Sequence, residues 1–236
     1  MPLDAALARL EKLLAGGGPD APGPLLVMLA GANGAGKSTF HHVYLSALGL
    51  PFINADRLAR EIRAGQRALP PRLAKLAPDV AAQRLADEER QASVVLGRSF
   101  VTETVLSDPV GAKVGMLRNA RERGYEVWLV FIGIGNPALS LARVRERVTG
   151  RGEHDVPPER ILDRYPRTLA NLPGAVEAAS VALLLDNDRV DAPYRFVALF
   201  ENGRLVHRSA LAPAWARSVL GPRSAKGSPR RGAKVT

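Results

Sequence analysis

Residues 31–39 read GANGAGKST and directly follow the apolar run PLLVMLA. The spacing Gly-x-x-x-x-Gly-Lys-Ser suits a polyphosphate. Glycines let successive backbone N–H groups wrap the phosphates, and a helix opening at the lysine adds its positive end. Lys37 would reach the β- and γ-phosphates and Ser38 would bind Mg²⁺. Gly31, Ala32, Asn33, Gly34, Ala35, Gly36, Lys37, Ser38 and Thr39 thus form a candidate ATP–Mg²⁺ loop. Such a loop can drive motion, gate a partner or donate a phosphate, and residues elsewhere in the chain must decide among these.

Transport ATPases pair the loop with a catalytic glutamate after a later apolar strand. Here VALLLDN (181–187) ends in Asp186 and Asn187, with no LSGGQ-like segment before it. The Asn-Lys-x-Asp motif with which GTPases read their base is absent. A small-molecule kinase needs a base at the acceptor hydroxyl, an acceptor groove, and cations that close over the transferring phosphoryl group. INADRLAREIRAG (53–65) supplies Asp56 just past a strand, either as that base or as a helix cap. FVTETVLSD (100–108) sets Glu103, Thr104 and Ser107 at another strand end. Residues 141–167 carry Arg143, Arg145, Arg147, Arg151, Arg160, Arg164 and Arg167 around a glycine-containing loop, the makings of an arginine-bearing lid or of a solvated face.

The elements that must hold these residues follow from periodicity. Leu3, Leu7, Leu10 and Leu14 share a helical face, and AGGGPDAPGP then breaks the chain, so the first helix reads as an appendage. Strands are expected at 25–30, 51–56, 99–104, 126–133 and 181–187, and a hairpin at 194–208. A helix from Lys37 to about Leu48 should bury Phe40, Val43, Tyr44, Ala47 and Leu48. Asp108-Pro109 and Asn136-Pro137 open further helices, another starts at Pro158 with a kink at Pro166, and a short one spans 214–220. Strands alternating with helices predict an α/β phosphate-loop fold of the kinase type: a parallel five-stranded sheet with helices on both faces, plus a C-terminal β-hairpin. The expected units are a helix and linker (1–19), the kinase domain (20–212), a short helix (213–220) and a disordered basic tail (221–236).

The formal net charge is +10, but the last sixteen residues hold five of the basic residues and no acid, leaving +5 for the rest. The tail implies at most weak, nonspecific contact with nucleic acid. Zero cysteines exclude disulfides and thiolate sites. No membrane span or secretory leader is legible, so the expected location is cytoplasmic. Between Arg57 and Lys75 six basic residues face one acid, Glu61. That stretch reads as the flank of a groove for an anionic acceptor, with Arg57 contacting it, or as a solvated basic face.

Taken in order, GANGAGKST, INADRLA, FVTETVLS, GYEVWLVFIG, LARVRERVTGRGEHDVP, RYPRTLANL and LLLDN resemble the zeta-toxin family, and within it the short chromosomal branch. The resemblance implies a phosphate-loop kinase that uses ATP to phosphorylate UDP-N-acetylglucosamine, with an antitoxin protein as partner. It further implies Asp56 as base at the acceptor hydroxyl and Glu103 and Thr104 in the acceptor pocket. Arg143, with Arg151 or Arg164, would clamp phosphates, and Asn187 would lie near the adenine. Kinases of another acceptor (nucleoside, nucleotide or polynucleotide end) and a non-catalytic ATP-gated regulator are the competing readings.

Overall fold

Every residue of the run 25–30 is buried, and so are all but the first of 126–133. Apolar on both faces, such segments are stable only between two layers of helices. The computed structural model, which describes residues 2–15, 23–151 and 157–221, contains those layers. The strands are β1 (Leu25–Ala30), β2 (Phe52–Ile53), β3 (Phe100–Thr104), β4 (Glu126–Gly133), β5 (Val181–Asp186), β6 (Arg195–Glu201) and β7 (Arg204–Arg208). The helices are α1 (Pro2–Ala15), α2 (Lys37–Phe40), α3 (Ala55–Arg63), α4 (Pro78–Val95), α5 (Ala112–Glu122), α6 (Pro137–Arg151), α7 (Pro158–Ala178) and α8 (Arg217–Leu220).

One sheet holds all these strands in the order β2-β3-β1-β4-β5-β6-β7. The first five are parallel, as expected. The hairpin is not separate: β6 pairs antiparallel with β5, and β7 with β6, so the sheet has seven strands rather than five. Alternate side chains feed two cores. Leu26, Met28, Val127 and Phe131 pack on one face with residues of α4, α5 and α7. Leu25, Val27, Trp128 and Ile132 pack on the other with Phe40, Leu45 and Tyr194. Each such large apolar side chain contributes roughly 1.5–3 kcal/mol on full burial, which makes the sheet a rigid platform.

Several local expectations change. The first helix is no appendage: Ala6 of α1 is buried in the second core, and Arg9 reaches Glu201 at 2.5 Å and lies over the Trp128 ring. The helix from Lys37 is α-helical only to Phe40, then widens to a π turn (His41–Leu45) and tightens to a 3₁₀ turn (Ser46–Leu48). The change of period turns Val43 outward, 58% exposed. It sets His41 flat on Phe52 while Phe40 and Tyr44 pack on Tyr194. The helix foreseen at Asp108-Pro109 starts at Ala112, because the Asp108 carboxylate accepts from the N–H groups of Ala112 and Lys113 across a turn. Residues 213–220 belong to the core. Trp215 and Leu220 are buried, and Trp215 Nε1 donates to Asp186 Oδ1 at 3.0 Å. Asp186, also held by Arg195 at 2.8 Å, is thereby a structural residue. Of the basic tail expected over 221–236, residues 222–236 lie outside the described residues. No described helix is long and apolar enough to cross a membrane.

Candidate active site

The five parallel strands bring their carboxyl ends to one edge. From central β1 the chain goes first to β2 and β3 on one side, then to β4 and β5 on the other, so the loops part around a crevice where sheets of this kind bind ligands. The loop after β1 lies there. Gly31, Gly34 and Gly36 have φ of 145°, 71° and 91°, values that side chains rarely adopt. At Gly36 a Cβ would also lie 2.6 Å from Asn187 Nδ2. The Lys37 ammonium, 6% exposed, donates to the carbonyls of Gly31 and Ala32, each at 2.9 Å, and lies 3.8 Å from Glu103 Oε1. A cradle of left-handed glycines closed by a lysine fits a polyphosphate.

Three side chains from distant elements brace that loop. Ser140 Oγ donates to the Asn33 carbonyl at 2.6 Å, Asn187 Nδ2 to that of Ala35 at 2.9 Å, and the Tyr194 hydroxyl to that of Gly36 at 2.9 Å. Burial, with Tyr44 adding to it, pushes the Tyr194 hydroxyl above the ordinary phenol range against a hydrogen bond with Thr39, so it stays a donor. Asn187, expected near the adenine, is bonded to the loop itself at the Ala35 carbonyl. Ser140 and Tyr194 carry no motif that would have singled them out.

Glu103 takes a position that the sequence reading did not anticipate. Its Oε2 accepts from Ser38 Oγ at 2.9 Å and from Asn54 Nδ2 at 2.7 Å. The carboxylate assigned to the acceptor pocket is therefore at the loop serine. A hydroxyl beside a carboxylate is a donor set that fits Mg²⁺, which takes a few protein oxygens and completes its shell with phosphate and water. Among the described residues no cluster of three or more His, Cys, Asp or Glu offers a cage that would do without phosphate.

Asn54 settles what Asp56 is not. Asn54 Oδ1 accepts from Arg57 N at 2.9 Å and caps α3, so the cap does not fall to Asp56, which is exposed on the first turn of that helix. Half-buried Arg164 of α7 is held below the usual arginine value by burial first and Arg160 second, with the Asp56 carboxylate opposing. Arg143, expected as a phosphate clamp, donates to the carbonyls of Asn187 at 2.6 Å and Asp188 at 3.1 Å, bracing the loop after β5. The side chain of Arg151 and the lid residues 152–156 lie outside the described part.

Thr104 uses its hydroxyl to accept from Leu106 N at 3.0 Å, turning the chain into a buried Leu106 with φ of 60°. That turn is gripped by α7. Thr168 Oγ1 donates to the Val105 carbonyl at 2.8 Å, and Asn171 Nδ2 to those of Leu106 and Asp108, both at 2.9 Å. The basic stretch 57–75 is largely neutralised. Arg57 pairs with Glu61 at 3.0 Å, Arg63 with Asp79, Arg67 with Glu89, and Arg72 with Glu88 at 2.5 Å. The acids of α4 answer the arginines of α3 and the segment after it, so this run is not a free basic wall. A polar cavity of about 310 Å³, lined by Arg9, Arg121, Glu126 and Asn202, opens at the opposite strand ends, away from the phosphate loop.

Fold and site together define a phosphate-loop protein of the kinase type. The family model described as Zeta toxin matches residues 13–202, and the chain belongs to that family. An uncharacterised protein of Haemophilus influenzae is 30% identical over 139 residues, which span 59% of this chain and 91% of that one. A structure of the PezAT chromosomal toxin–antitoxin system of Streptococcus pneumoniae matches with a TM-score of 0.51 at 20% identity, over 92% of this chain and 84% of that one. The AvrRxo1-ORF1:-ORF2 structure with ATP matches with a TM-score of 0.55 at 17% identity, over 86% and 66% respectively. At these identities the two structures speak for the fold alone.

Proposed function

We propose that the protein is an ATP-dependent kinase acting in the cytoplasm, which transfers the γ-phosphate of ATP to a hydroxyl of a small anionic acceptor. A nucleotide-sugar such as UDP-N-acetylglucosamine is the first candidate. The observation that carries the reading is the double role of Asn54. Its amide holds Glu103 against Ser38, and its oxygen caps the helix whose first turn bears Asp56. The helix that carries Asp56 thereby starts beside the carboxylate that meets the nucleotide loop, near where a transferase would need a base and a switch would not.

In this reading Lys37 leaves the carbonyls of Gly31 and Ala32 for the β- and γ-phosphates. Ser38 and Glu103 would hold Mg²⁺, which when bound would neutralise phosphate charge. Asp56 takes the proton of the acceptor hydroxyl as its oxygen approaches the γ-phosphorus in line. Arg164, less solvated than a surface arginine, stabilises charge spreading over the phosphoryl oxygens. An antitoxin-like protein that covers this edge belongs to the same proposal, supported by family membership and by the toxin–antitoxin relative.

γ-Labelled ATP offered with UDP-N-acetylglucosamine, then other UDP-sugars, nucleotides and polynucleotide ends, tests the proposal. A labelled acceptor supports it and names the substrate. Tight ATP binding with no labelled product from any acceptor would favour an ATP-gated regulator instead.

A further inference from the structure

Arg90 of α4 is 2% exposed and, after Trp128, the largest fully buried side chain. Burying a cation is costly, and where a position is merely structural a well-packed apolar residue usually serves as well. Its one carboxylate partner among the described residues, Asp87 at 2.7 Å, is itself about half exposed and shared with Lys113. The rest of the guanidinium fork is spent on strand ends. Nε donates to Thr102 Oγ1 at 2.6 Å and Nη2 to the Glu103 carbonyl at 3.2 Å. The Thr102 hydroxyl in turn donates a hydrogen bond to the Ile53 carbonyl at 3.0 Å.

These bonds fall where the sheet is weakest. β2 has two residues and pairs with β3 only through Phe52↔Val101 and Ile53↔Thr102. The next residue of each strand belongs to the site: Asn54 after Ile53, and Glu103 after Thr102. A slip of this pair would separate Glu103 from Ser38 and move the start of α3. Sheet pairing alone gives little to prevent it; the planar fork, with its donors in fixed geometry, does.

We propose that Arg90 is a positioning residue of the phosphoryl-transfer site. Through Thr102, Ile53 and the Glu103 carbonyl it holds the ends of β2 and β3 in register, so that Glu103 meets Ser38 and the helix bearing Asp56 starts in place. The proposal rests on the kinase reading for the reaction, and on the Ser38–Glu103 geometry for the metal.

The test compares wild type with Arg90→Met, Thr102→Val and Thr102→Ser. It reads binding of a non-hydrolysable imido analogue of ATP at graded Mg²⁺, turnover of γ-labelled ATP, and melting temperature. Arg90→Met and Thr102→Val should bind the Mg²⁺-free analogue as wild type does. They should need about 10–100-fold more Mg²⁺ for half-maximal binding and lose turnover by a similar factor at unchanged KM for ATP, the scale of a lost outer-shell partner. Thr102→Ser, which keeps the hydroxyl, should behave as wild type. If Arg90→Met does not fold, the Val/Ser pair still decides, since it isolates the hydroxyl. Lower melting temperatures with wild-type Mg²⁺ midpoints in the folded variants would overturn the proposal. A wild type that binds the analogue but phosphorylates nothing would sink the kinase reading, while the Mg²⁺ midpoints would still judge Arg90. A wild type that does not bind it would overturn both.

Discussion

The Ser38 hydroxyl and the Glu103 carboxylate, 65 residues apart, are joined by a 2.9 Å hydrogen bond. One belongs to the loop after β1, the other to the end of the neighbouring strand β3, and their pairing follows from the register that sets Ala30 beside Thr104. The same carboxylate oxygen is held by Asn54. Three strand ends therefore meet at one point, and the chemistry proposed for the site depends on that meeting.

Asp56→Asn should separate binding from transfer. The carboxylate is exposed on the first turn of α3 and has no hydrogen bond or ion pair with the described loop residues, so ATP affinity should stay within a few fold. Phosphoryl transfer should fall by roughly 10²-fold or more, the scale of a lost general base. Lys37→Ala should instead weaken both. Equilibrium binding and single-turnover transfer, measured side by side, check this. Transfer by Asp56→Asn at the wild-type rate would remove Asp56 from the mechanism.

Arg143→Ala tests whether this arginine braces a loop or clamps phosphate. Its two bonds go to backbone carbonyls of Asn187 and Asp188. Hydrogen bonds from a charged donor contribute about 1.5–3 kcal/mol each, so ATP affinity should drop roughly tenfold as the loop after β5 loosens. Because Asn187 also holds the Ala35 carbonyl of the phosphate loop, tripolyphosphate should weaken along with ATP in calorimetry, and the melting temperature should fall as well. Weaker binding of both ligands at an unchanged melting temperature would point to direct phosphate contact.

Tyr194→Phe leaves the Gly36 carbonyl without its donor while keeping the ring against Phe40 and Tyr44. A net cost of about 1 kcal/mol is expected, seen as a melting temperature lower by about 2–4 °C. ATP should also bind several-fold more weakly, because the loop is less preorganised. Unchanged affinity would show that Gly36 holds its place without the tyrosine.

His41 predicts a pH effect on stability. Burial first, then Arg57 and His42, holds its pKa below the ordinary 6.5. The unfolded chain therefore binds this proton at higher pH than the folded one, and stability should fall as the pH drops through and below that value. His41→Phe keeps a ring on Phe52 and removes the titration. Urea unfolding between about pH 7 and pH 5 should give a shallower dependence for the variant than for wild type. Parallel curves would exclude His41 as the source.

The phosphate loop was legible because its chemistry demands glycine at fixed spacing, and β4 because eight nearly unbroken apolar residues admit few other fates. Asp56 and Arg164 were legible as types of residue at strand ends and in an arginine-rich helix. What stayed hidden was set by contacts far apart in the chain. Asn54 reads as a turn residue until Glu103 is beside it, 49 positions on. Tyr194 reads as part of a hairpin until its hydroxyl meets Gly36. The run from Arg57 to Lys75 suggested a basic groove because its counter-charges Asp79, Glu88 and Glu89 come from the following helix. Periodicity alone could not foresee the π turn after Phe40, which satisfies contacts on opposite sides at once.

The grip of Thr168 and Asn171 on residues 105–108 has a consequence for how this protein can change. Arg164 stands one helical turn from Thr168, about 6 Å along α7 at 1.5 Å per residue, and so short a rigid rod absorbs almost no movement. If the acceptor of the proposed kinase lies against the turn after β3, a substitution that reshapes that turn to admit a different one would also shift Arg164. Substrate choice and catalytic power would then be inherited together: drift toward a new acceptor would pass through poorer catalysts unless α7 changed in step.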